Sequence, residues 1–241
     1  MNELAPPYRG PLSVAQVAEG MNAATKNASR LASDARLLFS NGRWPSASSL
    51  AVLSIEESGK VVILRRFLTS TEDDRKSLWK EYRSHTRKNL NWILPDLVAK
   101  GARKLEDFVA IVDKNSDHLL VLDTLKQIGF YSDCLGKGHW SLPQEVVREE
   151  LAANLVQTAE LLAPQRVISI RELELWVKHM GGVWGTTDSA MKSALVQWYG
   201  EMQREGLSPP GLNQMEIFVN EGLNIRQASM LTRENGLGSD V

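Results

Sequence analysis

Val14, Val17, Met21, Ala24, Ala28, Leu31, Ala35 and Leu38 follow one another at alternating steps of three and four, with mostly polar residues between them. That spacing returns to one helix face at every turn and predicts a long amphipathic helix with a single apolar stripe. Ser13 is placed to cap its start, and Asn41-Gly42 to stop it. The stripe is narrow and rich in alanine, which suits close antiparallel packing against another helix. Pro45 stands where a second helix can begin. The segment SASSLAVLSIEESGKVVILRRFL continues that helix, with Leu50, Leu53, Ile63, Leu64 and Phe67 as its expected core. Gly59 falls inside it at a cost of about 1 kcal/mol relative to Ala, and is read as a kink or a close contact with a neighbouring helix.

A third helix is expected after STEDD, whose acids suit a positive helix N-terminus, running through WKEYRSHTRKNLNWIL until Pro95 ends it. From Leu105 to Gly129 the spacing of Phe108, Val109, Val112, Leu119, Leu122 and Leu125 is again helical. FYSDCLGKGHWSLP reads as a loop. Ser141 then caps QEVVREELAANLVQTAELL, and Ser169 to Glu172 has the form of a capping box ahead of LELWVKHM. Further helices are expected over Ser189–Arg204 and Met215–Asn220, on either side of the SPPG turn. No segment alternates convincingly enough for a strand, and no repeat of fixed period appears. The fold class is all-α: an antiparallel helical bundle over residues 1–140, additional C-terminal helices over 141–225, and a polar tail over 226–241.

Composition narrows the setting more than the chemistry. The 28 basic and 29 acidic residues nearly cancel, and the single Cys134 cannot form an internal disulfide, which favours a reducing cytoplasm. The N-terminus lacks a signal-peptide pattern, and no apolar run approaches the roughly 20 residues of a membrane span. The charge is unevenly distributed, however. Between Arg75 and Lys104, nine basic residues stand against Glu81 and Asp96, a local charge of +7 that could attract phosphates. The plainer reading of such a run is a solvated helix face.

Two short stretches carry candidate chemistry. In IEESGK, Glu56 and Lys60 are one helical turn apart and can pair, while Glu57 lies nearer the apolar face. Asp34, flanked by Leu31 and Ala35, raises the same question of an acid near the core. In WKEYRSHTRK, a continuous helix would bring His85 to Glu81 one turn before it and Lys88 one turn after it. An imidazole held by a carboxylate among cations is an acid/base arrangement, with His85, Arg83, Glu57 and Glu81 as the candidate catalytic residues. Lys88, Lys60, Lys80, Arg87, Glu56 and Asp34 are the candidate binding residues. An interfacial histidine on a salt-bridged surface helix is the competing account. Metal binding by Asp34, Glu56, Glu57, Glu81 and His85 has less support, because the repeated Glu-x-x-His spacing of di-iron bundles is absent. Neither a metal nor a cofactor is expected. Trp140, Trp176, Trp184 and Trp198 are read as core and dimer contacts.

NASRLASDARLLFSNGRWPSASSLAVLSIEESGK, LWKEYRSHTRK and LKQIGFYSDCLGKGHWSLPQEV, in that order and spacing, resemble the AbiV-type abortive infection proteins of the HEPN helical superfamily. The resemblance covers about Val14 to Val146. It implies a HEPN-like bundle, a homodimer, and a part in halting phage multiplication. Many HEPN proteins are metal-independent ribonucleases with an Arg-x(4–6)-His motif. Here the positions counted back from His85 hold Lys80, Trp79 and Leu78. Lys80 supplies charge but not the two-pronged phosphate grip of a guanidinium. Two functions follow as expectations: an RNA-binding or RNA-cleaving toxin, or a helical module that binds a phage or host protein.

Overall fold

The pairing of the first two helices sets the frame. In the computed structural model, which describes residues 6–89, 91–108, 111, 117–163 and 166–232, α1 spans Val14–Ser40 and α2 spans Trp44–Phe67. Ser13 caps α1 by accepting from the Gln16 N–H, and the Gln16 side chain returns the bond. Residues 41–43 reverse the chain, with Gly42 at φ 69°. Val17 and Met21 of early α1 therefore share a core with Ile63, Leu64 and Phe67 of late α2. At the other end Ala28, Ala32 and Ala35 meet Ala47, Ala51 and Ile55. Small side chains bring the backbones so close that the buried Ser54 hydroxyl donates to the Ala28 carbonyl at 2.8 Å.

Next along the chain come α3 (Glu72–Arg83), α4 (Leu94–Ala99) and α5 (His118–Phe130). A hairpin of two three-residue strands follows, β1 (Asp133–Leu135) and β2 (His139–Ser141), with Cys134 opposite Trp140. Beyond it lie α6 (Pro143–Val146), α7 (Glu149–Leu162), α8 (Ile170–Met180), α9 (Asp188–Arg204), α10 (Gln214–Glu221) and α11 (Ile225–Thr232). Apart from the hairpin the fold is all-α, as expected. The stretch that read as a loop thus contains a small sheet.

α2 is the central helix, with α1, α3, α5 and α7 all packed on it. Enclosure on several sides explains why Ser48, Ser49, Ser54, Glu56 and Ser58 are buried along with Ile63 and Leu64. Leu50 and Leu53, expected in the core, are only partly buried. Two of these serines bond backbone carbonyls, Ser49 that of Pro45 and Ser54 that of Ala28.

The third helix departs from expectation. It starts within STEDD and not after it, with Thr71 and Asp74 forming a capping box and the acids in the first turn, and it stops at Arg83. Ser84 turns extended at ψ 130°, a 3-10 turn covers Thr86–Lys88, and another covers Asn91–Ile93. Pro95 lies in the first turn of α4, so it opens a helix instead of ending one. Between Leu105 and Gly129 the chain forms a 3-10 turn, Leu105–Phe108, and then α5; Val109 and Val112 lie outside the described residues. Arg148, not Ser141, precedes α7. Ile225–Thr232 is helical where a polar tail was expected.

α8 packs on α1, α9 on α8 and α10 on α9, while α11 packs on α4. Leu175, Trp176, Met180, Ala194, Trp198 and Met202 form a core of their own. Trp140 is exposed on the hairpin, while Trp184, although partly exposed, packs its ring 6.0 Å from that of Trp176 at the edge of this core. A clamp around the buried Glu172 ties this region to α2. Glu172 of α8 accepts two bonds from the Arg166 guanidinium, at 2.7 and 2.8 Å, and one from Arg65 of α2 at 3.3 Å. The Arg65 guanidinium lies 5.0 Å from the Trp176 ring centroid and 5.9 Å from that of Trp198.

Candidate functional site

The early end of α3 creates the site. α3 stops at Arg83, and the turn that follows packs onto α2. Ser84 and Thr86 share a hydroxyl–hydroxyl bond of 3.0 Å, the Arg87 N–H donates to the Ser84 hydroxyl, and the Asn89 side chain donates to the Leu119 carbonyl of α5. Gly59 receives the turn. A Cβ on that residue would stand 1.9 Å from the carbonyl oxygen of Lys88, so only glycine admits the backbone there. Gly59 therefore marks a close contact, as expected, but with the 3-10 turn at Lys88 and not with a neighbouring α-helix.

The turn carries His85 and Lys88 onto Glu56, in the middle of α2. Nδ1 of His85 lies 2.9 Å from Oε2 of Glu56, and Nζ of Lys88 lies 3.4 Å from the same oxygen. Lys126, on α5, donates to Oε1 of Glu56 at 2.7 Å and pairs with Asp123 at 3.0 Å. Side-chain exposure separates the members: Glu56 3%, Lys88 7%, Lys126 8%, His85 63%. A carboxylate is thus held beneath the surface by two ammonium groups and presents one oxygen to an imidazole that faces solvent. A carboxylate only accepts, so Nδ1 is the protonated nitrogen and Nε2 is left as acceptor when the ring is neutral.

Burial of the Lys88 ammonium pushes its pKa below the ordinary lysine value, helped by the nearby Lys60 charge and opposed by Glu56. Burial works in the same direction on Lys126. There the hydrogen bonds to Glu56 and Asp123 outweigh it and leave the pKa above the ordinary value.

Several sequence expectations are corrected by this geometry. Glu56, not Glu57, is the acid inside the bundle. Glu57 pairs with Lys60 at 2.5 Å, so the expected Glu56–Lys60 pair is not formed. Lys60 also lies over the Tyr82 ring. The carboxylate bonded to His85 is Glu56 rather than Glu81, because α3 ends before residue 85; Glu81 pairs with Arg66 at 2.5 Å. Arg83 turns away from the histidine. It stacks on Trp79 and donates to the Tyr8 carbonyl. Asp34 is half-exposed and pairs with Arg30. Lys80 is exposed on α3, and Arg87 is partly buried, with Nη1 unpartnered among the described residues.

Several cations of the positive window are engaged individually within the protein. Lys88 is spent inside on Glu56, while Arg75 and Lys100 pair with Glu72 and Asp96. Arg103 donates to the Val98 and Ala102 carbonyls. No cluster of metal-binding character occurs among the described residues, and no helix among them is long and apolar enough to cross a membrane.

Lys126 and Asp123 escaped the sequence reading. Their signal was nevertheless present. Leu119, Leu122, Lys126 and Gly129 are spaced by three, four and three, so a cation occupies the apolar stripe of a helix, where it needs a buried acid.

A family model described as AbiV, of the HEPN_AbiV type, matches residues 16–164. The matched stretch runs from early α1 to the end of α7 and includes Glu56, His85, Lys88 and Lys126. No curated protein and no solved structure is found to match.

Proposed function

The chain belongs to the AbiV family, and on that premise we propose that it acts in phage defence as a metal-independent ribonuclease centred on His85. The observation that carries this reading is an exposed imidazole whose Nδ1 is fixed 2.9 Å from a buried carboxylate. A ring so held offers Nε2 as a base. It would take the proton of a ribose 2′-hydroxyl as that oxygen attacks the adjacent phosphorus. The P–O5′ bond breaks, the 5′-oxygen leaves with a proton from water, and a 2′,3′-cyclic phosphate remains. Lys80 and Arg87, on the same stretch of chain, would meet the phosphate charge. The protein would work in the cytoplasm as a homodimer.

The test is RNA cleavage by the purified chain with a metal chelator present. Cleavage should persist, and His85→Ala should reduce it by about 10²–10⁴-fold, the usual share of general acid–base catalysis. With a side chain 63% exposed, the same variant should melt where the parent does. Intact RNA with the parent protein, or phage protection undiminished in His85→Ala, would refute the reading.

A second reading has one observation in its favour. Glu56, Glu57 and Asp123 face Lys60, Lys88 and Lys126, so the network is balanced without any ligand. On that view the network fixes helix packing in a module that binds a phage or host protein. Protection would then follow the melting temperature of each variant and not the presence of the imidazole.

A further inference from the structure

Glu56 is reached from outside the helix pair by a second ion pair, and the order of contacts is informative. Asp123 is one-third exposed, Lys126 is buried behind it, Glu56 lies deeper still, and His85 emerges on the far side. Lys126 holds Oε1 of Glu56 at 2.7 Å, and His85 and Lys88 share Oε2. A buried carboxylate stays ionised and fixed only where cations and donors occupy it. Lys88 cannot do this alone, because its longer contact falls on the oxygen that His85 also uses. The other oxygen belongs to Lys126.

We infer that Lys126 is a positioning residue for His85. By occupying the inner oxygen of Glu56 it keeps the outer oxygen as the acceptor that selects the Nδ1–H tautomer of the ring. Asp123 anchors Lys126 in that task from the solvent side. The ammonium is well suited to it, since its hydrogen bonds to both acids outweigh burial and keep it charged. The inference deepens the proposed function and rests on His85 being the acting group, but its primary test needs no activity.

That test is the ring 15N spectrum of His85 in the full-length protein at a pH where the imidazole is neutral. The parent should show the Nδ1–H tautomer. Lys126→Met should move the population toward Nε2–H, the form free imidazole side chains favour, and Asp123→Asn should move it partway. Asp123 is one-third exposed, so its variant tests the idea even if Lys126→Met fails to fold. An Nδ1–H signature unchanged in folded Lys126→Met, or in Asp123→Asn where Lys126→Met does not fold, would overturn the inference. If the parent protein cleaves no RNA while the tautomer still shifts, the nuclease reading fails and the positioning role stands. If RNA is cleaved, Lys126→Met should lower kcat by about tenfold or more with little change in KM, as for loss of a supporting hydrogen bond.

Discussion

Gly59 of α2 lies directly beneath the carbonyl of Lys88, at a separation that leaves no room for a methyl group. A Cβ built there would also stand 2.8 Å from the Lys88 carbonyl carbon, so rigid backbone and not a flexible side chain would have to yield. Gly59→Ala should therefore destabilise the protein by about 1–3 kcal/mol, as overpacked cores do, despite the gain of about 1 kcal/mol in helix propensity. Chemical denaturation measures the difference. Gly20→Ala is the control: its Cβ would meet the movable tip of Leu64 at 3.3 Å, and the change should be close to neutral.

Glu56 and Glu57 are neighbours with opposite consequences. Removing Glu56 leaves the Lys88 and Lys126 ammoniums buried without their shared partner, and Glu56→Ala should cost about 3–5 kcal/mol. Glu57 pairs with Lys60 at the partly buried edge of the network, where removal strands one ammonium that still reaches solvent, and Glu57→Ala should cost less, about 1–2 kcal/mol. Urea denaturation of the two variants side by side tests the assignment. Equal losses would contradict it.

Arg83 is engaged by Trp79 and the Tyr8 carbonyl and not by His85. Its guanidinium lies 4.8 Å from the Trp79 ring centroid and donates to the Tyr8 carbonyl, tying the segment before α1 to α3. Arg83→Ala should lower stability by about 1–2 kcal/mol, the sum expected for a cation–π contact and a charged hydrogen bond. Thermal unfolding of the variant reads this out.

Acid stability should depend on Glu201 of α9. Hydrogen bonds from Lys178, at 2.6 and 2.7 Å, and from His179 of α8, at 2.5 Å, hold its pKa down at about 2. An unfolded glutamate titrates near 4.3. A depressed folded value means the stabilisation is complete above about pH 4.3 and is lost as pH falls toward 2. Tm measured from pH 5 to pH 2 should fall more steeply for the parent than for Glu201→Gln. Parallel curves would exclude this source of acid sensitivity.

How far the sequence could be read depended on how each helix is surrounded. α1 has one partner face along most of its length, so its stripe, its Ser13 cap and its stop at Asn41-Gly42 were all visible in the spacing. α2 is enclosed by four helices, and buried serines and a buried glutamate interrupt any single stripe. Periodicity therefore could not say which of two adjacent acids points inward. The end of α3 was hidden for a different reason. SHTRKNLN has no glycine or proline to stop a helix, and the turn forms because Gly59, Glu56 and Leu119, distant in sequence, receive it. Candidate residues were recognised by type, but their partners required the fold: His85 meets Glu56 across 29 positions and Glu56 meets Lys126 across 70.

The Glu172 clamp has a bearing on how relatives can be recombined. Arg65 lies within the stretch matched by the AbiV model, whereas Arg166, Glu172, Trp176 and Trp198 lie beyond it. A graft of foreign helices after residue 164 would deprive that guanidinium of its acid and its two indoles at once. Position 65 therefore has to travel with the distal helices in any chimaera, although a hundred residues of sequence lie between them.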